Sequence, residues 1–173
     1  MFWKKPRSEF ERGKGEGNRR ALRTSVTRGE VPGLIAYDGK VPVGWCAVEP
    51  RERFPGLARS RVLAPVDEAP VWSVPCFFVA RGWRRKGVTV ALLRAAAAHA
   101  ASRGAKLLEG YPIAPKQGKV ADAFAWTGIA GAFEKAAFEE VARRSPTRPI
   151  MRRRLSGFRG GVRGGVRGPR RAR

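Results

Sequence analysis

The stretch CFFVARGWRRKGVTVALLRAAAAHAASRGAKLLEGYPI, residues 76–113, decides the fold. It continues an apolar run, PVWSVPCFFVA at 70–80, that reads as a strand apolar on both faces and therefore central in a sheet. Pro75 has no N–H to give a ladder, so a bulge or local splaying is expected there. Residues 87–103 are rich in strong helix formers and run into Gly104, a residue suited to closing a helix. KLLEGYPI, 106–113, reads as the next strand. The turn between the first strand and the helix crowds Arg81, Arg84, Arg85 and Lys86 together with Gly82 and Gly87. A helix N-terminus presents N–H groups without intrahelical partners and the positive end of the helix dipole, which suits an anion. Gly87 lets the backbone approach a ligand closely or take a positive φ. A turn at the end of a central strand also stands where open sheets bind ligands. By its local chemistry alone the turn is equally a basic surface turn, so the rest of the chain has to arbitrate.

Outward from this unit, residues 8–27 read as helix, with Ser8 and Glu11 at capping-box spacing and with glycines at 13, 15 and 17 against it. GLIAY and VPVGWCAVE flank an Asp38-Gly39 turn, a strong hairpin signal, with Tyr37 and Val41 bordering it. Residues 51–69 are polar and proline-bearing, a connection with one short helix. DAFAWTGIAGAFEKAAF, 122–138, reads as helix with Phe124, Ile129, Phe133 and Ala137 available for burial. FEEVARRS and RPIMRRRL read as two short strands hinged at Pro146 and Thr147. The order α, β, β, β, α, β, α, β, β implies a mixed sheet with helices packed on it.

The chain has 173 residues, 43% of them hydrophobic, which suits one domain with a real core; we place it at 8–155. Its formal charge is +22, from 36 Lys and Arg against 14 Asp and Glu. The last 33 residues carry twelve arginines and no acid. Such a field attracts polyanions, whether nucleic acid, anionic lipid or a phosphate-bearing cofactor. From Ser156 the chain, SGFRGGVRGGVRGPRRAR, has nothing with which to build a core and is expected to be a disordered basic tail over 156–173. It resembles RNA-binding Arg-Gly segments, although valine stands where an aromatic is usual. Cys46 and Cys76 sit in strand-like apolar runs without a Cys or His at metal-ligand spacing, so buried thiols are expected and no metal site. No run reaches membrane-span or signal-peptide length, and a cytoplasmic protein is the expectation.

Residues 76–113, and in order about 31–155, resemble the Gcn5-related N-acetyltransferase (GNAT) superfamily. Its acyl-CoA motif is Arg or Gln, two residues, Gly, one residue, then Gly or Ala; Arg84, Gly87 and Thr89 occupy those places, the last a departure. The resemblance implies an α+β, acyl-CoA N-acyltransferase-like fold: a mixed, mostly antiparallel sheet with helices on both faces. It implies transfer of the acetyl group of acetyl-CoA to an amine. The amides of Arg85, Lys86, Gly87, Val88, Thr89 and Val90, with the side chains of Arg84 and Lys86, would hold the pyrophosphate. The splayed strand at Phe77, Phe78 and Val79 would pair with the pantetheine arm. Ala137 and Phe138 take the place of a Gly-Phe pair, and Phe133 stands where many members have a Tyr that protonates the leaving thiolate. Tyr111 or solvent would substitute as acid, and Glu109, an isolated carboxylate in an apolar strand, is the candidate base, with Asp67 and Glu68 behind it. His99 reads as a helix residue rather than a catalytic one. The acceptor is expected to be bound by residues 7–28 and 51–69, and acidic acceptors suit the charge better than basic ones. Alternatives are a nucleic-acid-associated protein using its tail, a catalytically inactive relative, and a homodimer in place of a monomer.

Overall fold

The structure, a computed structural model, describes residues 2–115 and 122–155, without the side chains of 122–124. The tail at 156–173 and the side chain of Phe124 lie outside the described residues. After a turn of 3-10 helix at Phe2–Lys4 come α1 (Arg7–Arg12) and α2 (Glu16–Thr27). The single helix expected over 8–27 is therefore two. Gly15, at φ 75°, takes a left-handed conformation between them, which breaks the hydrogen-bond ladder. The expected capping box is absent as well: the N-cap of α1 is Pro6, and Glu11 pairs with Arg7 at 2.7 Å and with Lys14.

Strands β1 (Gly33–Asp38) and β2 (Val41–Ala47) form the hairpin, closed by Gly39 and Lys40, with Asp38 rather than Tyr37 facing Val41. A register shift between Ala36 and Tyr37 moves the partners by one. A short β3 (Glu49–Pro50) follows, then a 3-10 turn and the brief α3 (Pro55–Ala58) in the connection. The apolar run at 70–80 is split by Pro75 into β4 (Trp72–Val74) and β5 (Phe77–Val79). Each half joins a different sheet: β1-β2-β5 in one, β3-β4-β6-β8-β7 in the other. The remaining elements are α4 (Val88–Ser102), β6 (Leu107–Gly110), α5 (Ala130–Glu134), β7 (Glu139–Arg143) and β8 (Pro149–Arg154). Among the described strands β4 and β6 pair in parallel, joined by a crossover through α4, and the other strand pairs are antiparallel. The Ala47 N–H donates to Cys76 O at 3.0 Å and holds the two sheets together at the break.

Two apolar clusters cover the two sides. Leu92, Leu93 and Ala96 of α4 pack on Val74, Leu108 and Met151, while Phe54, Leu57, Tyr111 and Ile150 form the other cluster, with Trp3 and Trp45 packed against it. The helix expected over 122–138 is interrupted. A 3-10 segment (Asp122–Thr127) ends at Gly128, φ 86°, and α5 has only five residues. Phe133 is fully buried as expected, but Ile129 is 39% exposed and Ala137 is exposed. α5 closes in a Schellman pattern: Phe138 N–H reaches Phe133 O at 3.0 Å and Ala137 N–H reaches Glu134 O at 2.9 Å. The rings of Phe133 and Phe138 meet edge-on at 5.1 Å beneath it. Ala137 takes φ 60°, so the alanine stands at the one position of this motif that calls for glycine.

Candidate active site

Among the described residues, the break at Pro75 leaves β5 with a single strand partner, β2, while β4 pairs with β6. The second edge of β5 borders a cavity of about 640 Å³. Phe77, Phe78 and Val79 form one wall, and the floor continues into the basic turn and the first residues of α4. Ile129, Ala132 and Lys135 line it as well. Gly110 and Gly128 let the elements around Phe133 come this close, since a Cβ at Gly110 would lie 2.1 Å and one at Gly128 2.7 Å from its ring.

The turn itself is a cradle of amides. Gly87 caps α4 at φ 81° and Arg85 stands at φ 62°, so two left-handed residues alternate and turn successive N–H groups to one side. The first helical hydrogen bond is Ala91 N–H to Gly87 O, 3.0 Å. Among the described residues, the amides of 85–90 donate to no backbone carbonyl. A left-handed arginine is uncommon and strained, a feature that concentrates at binding sites. Arg84 Nε donates to Val79 O at 3.2 Å and ties the turn back to β5. Arg84, Arg85, Gly87, Val88, Thr89 and Val90 all line the cavity. Lys86 does not; its ammonium stands 5.1 Å over the Trp83 ring, a cation–π contact.

Glu109 and Tyr111 are placed elsewhere. Both are fully buried, and neither borders the cavity. Tyr111 Oη donates to Glu109 Oε1 at 2.7 Å, lies 2.8 Å from Ser73 Oγ and accepts from Arg51. Arg51 donates to Glu109 Oε1 at 2.8 Å and Arg152 to Oε2 at 2.6 Å. Arg152 also grips Asp67, whose carboxyl is held below its ordinary value first by that hydrogen bond. Two guanidiniums and two carboxylates thus form a neutral cluster that pins the connection 51–69 to the sheet. Burial, then the Glu109 charge, raises the Tyr111 phenol far above its usual range. Such a phenol is a poor proton donor, and Glu109 has each oxygen engaged by a guanidinium. The expectation of a base at Glu109 and an acid at Tyr111 is not matched by their placement. Glu68 is exposed and, like Asp67, away from the cavity. His99 packs edge-on against Trp72 at 5.8 Å, and Phe133 meets Phe77 at 6.0 Å in the core.

Over residues 2–112 the sequence matches the model of the acetyltransferase (GNAT) family. The chain belongs to this family. It is by that membership an acyltransferase, and solved structures agree on the GNAT fold. A chain from Desulfovibrio desulfuricans ascribed to the GNAT family superposes with a TM-score of 0.53 at 17% identity, covering 80% of this chain and 79% of that one. The ribosomal-protein-alanine N-acetyltransferase of Brucella melitensis gives 0.50 at 16%, covering 81% and 78%. A chain of the NatC complex, in a structure with Gag peptide and CoA, gives 0.50 at 13%, covering 79% of each. No curated protein matches the sequence. Among the described residues, no helix is long and apolar enough to cross a membrane, and no His, Cys, Asp or Glu side chains group as a metal site.

Within this GNAT member the sequence motif brings nine of the ten expected cofactor residues to one cavity. Sequence reasoning missed Trp126, which lines the same cavity, and Arg51 and Arg152, which hold Glu109. Arg51 and Glu109 are 58 residues apart, and no local spacing announces their pairing. Trp126 carried a signal: an aromatic directly before a Thr-Gly break in an otherwise helical pattern.

Proposed function

We propose that the protein transfers the acetyl group of acetyl-CoA to a primary amine by direct attack on the thioester. The observation that carries this reading is the row of amides at 85–90, without backbone partners among the described residues and opening into the cavity beside the unpaired edge of β5. Those amides, with Arg84 and Arg85, bind the pyrophosphate; Phe77, Phe78 and Val79 accept the pantetheine arm along the strand edge. Thr89 brings a hydroxyl, with its methyl, to the place of the usual small residue.

Acetyl-CoA supplies a thioester carbonyl that a neutral amine attacks. The new C–N bond forms as the C–S bond breaks, the thiolate departs, and the proton shed by nitrogen passes to sulfur through solvent. The chain contributes position and a low-dielectric, hydrogen-bonding surround, which together account for much of the acceleration in such reactions. Phe133 has no proton to give, and we assign Glu109 and Tyr111 a structural role. The catalytic unit then extends over 2–155, because Phe2–Lys4 is packed onto it.

Calorimetric titration with acetyl-CoA tests the reading. Saturable binding is expected, and its absence at millimolar cofactor removes the proposal. Gly87→Val should abolish binding, because it forces a β-branched residue to φ 81° and places side-chain atoms in the cradle. Retained binding would put the phosphates elsewhere.

A further inference from the structure

The cavity wall also carries a second chemistry. Besides the basic turn it includes Trp126, Ile129 and, on β5, Phe78. Trp126 is backed by the start of the chain. The Phe2 ring meets it edge-on at 5.4 Å, Trp3 lies tilted on it at 5.7 Å, and Phe2 and Trp3 meet at 5.0 Å. This backing is fastened down. Lys4 is ion-paired to the buried Glu49 and stands 5.8 Å over the Phe54 ring. The Trp3 backbone is seated against Gly56, where a Cβ would meet Trp3 O at 2.9 Å.

Phe78 faces the same side. It stands opposite Trp45 in the strand register, and directly opposed residues share a sheet face. Trp45 packs on the cluster that also receives Trp3. Phe78 is 62% exposed on the wall of the cavity and offers its ring to an apolar ligand there. Among the described residues, the charged side chains of the cavity wall are cations: Arg84, Arg85 and Lys135. With Arg84 and Arg85 given to the pyrophosphate, Lys135 is the cation that an acceptor bearing several ammonium groups would meet, whereas an uncharged ring would meet aromatic edges and faces.

We infer that Trp126 and Phe78, backed by Phe2 and Trp3, form the acceptor subsite, and that it selects a primary amine carried on an uncharged aromatic body. The inference rests on the acetyl-transfer reading above. It places the N-terminal turn in the acceptor wall, in addition to the segments 7–28 and 51–69 to which the sequence pointed.

The test uses the full chain, acetyl-CoA and three amines: 2-phenylethylamine, n-butylamine and spermidine, with release of CoA thiol as readout. The expected order of kcat/KM is 2-phenylethylamine first and spermidine last, with about tenfold between the aromatic and the aliphatic amine, the scale of one buried aromatic contact. Phe2→Ala, a peripheral change, should raise the KM for 2-phenylethylamine several-fold with little change in kcat, and Trp126→Leu should bring the two monoamines to parity. Calorimetry of the same amines on CoA-loaded protein gives the order independently of turnover. A preference for spermidine, or equal affinity for all three, overturns the inference while leaving acetyl transfer standing. Failure of acetyl-CoA itself to bind removes the underlying reading and this one with it.

Discussion

Glu109→Gln separates a structural carboxylate from a catalytic one. In the structure each Glu109 oxygen is engaged by a guanidinium, Arg51 at 2.8 Å and Arg152 at 2.6 Å, and the side chain is fully buried. The amide would keep one acceptor but turn an NH2 toward one arginine, leaving a buried cation facing a donor. Breaking a buried ion pair from one side costs about 3–5 kcal/mol. For a chain of this length each kcal/mol lowers Tm by roughly 2–4 °C, so a fall of about 6–20 °C is expected. Thermal melts of wild type and variant measure it, together with kcat at a temperature where both remain folded. If Glu109 is structural, the folded variant keeps kcat within a few-fold. If instead the variant melts with the wild type and kcat falls by about 10²–10⁴, the loss typical of removing a general base, Glu109 does chemistry and its assignment to the structural cluster is wrong.

Other consequences can be checked singly. Ala137→Gly should stabilise the protein by about 0.5–1 kcal/mol, since relief of roughly 1–2 kcal/mol of left-handed strain exceeds the roughly 0.4–1 kcal/mol of added unfolded-chain freedom; a lower denaturant midpoint would contradict it. Burial pushes the Cys46 thiol up to about 12 and the Cys76 thiol up to about 11, but Cys76 is only half-buried where a buried thiol was expected, so Ellman's reagent should label Cys46 only on unfolding and Cys76 before it. These thiols and the Tyr111 phenol are acids whose folded pKa is raised. Their contribution to stability is complete below the ordinary thiol value, about 8.5, and declines as pH rises from there, because the unfolded chain ionises first. Denaturant midpoints at increasing alkaline pH should therefore fall, and a constant midpoint would refute it. Asp67, held low by Arg152, gives the opposite slope: its contribution is present above the ordinary carboxylate range and is lost on acidification, and Asp67→Asn should remove that part of the acid dependence.

Much of the fold and part of the site were legible in the sequence, and for local reasons. A proline inside an apolar run cannot join a ladder, so the division into β4 and β5 follows from Pro75. An Asp-Gly pair between apolar segments makes the hairpin, and a basic, glycine-ended turn before an alanine-rich helix makes the amide cradle. Each signal spans a few residues and acts through backbone geometry that no distant contact overrides. The reading erred where glycines compete with helix periodicity, at 13–17 and at Gly128, because a left-handed residue ends a helix whatever the side-chain pattern beyond it.

What the tertiary structure alone decided is the environment of side chains distant in sequence. Glu109 reads as an isolated acid in an apolar strand, yet Arg51 and Arg152 reach it from 58 and 43 residues away and engage both of its oxygens. The same holds for Phe2 and Trp3, which meet Trp126 across more than a hundred residues of chain. Backbone conformation is set by near neighbours, but charge pairing and aromatic packing depend on what folding brings together, and a sequence carries no spacing that encodes them.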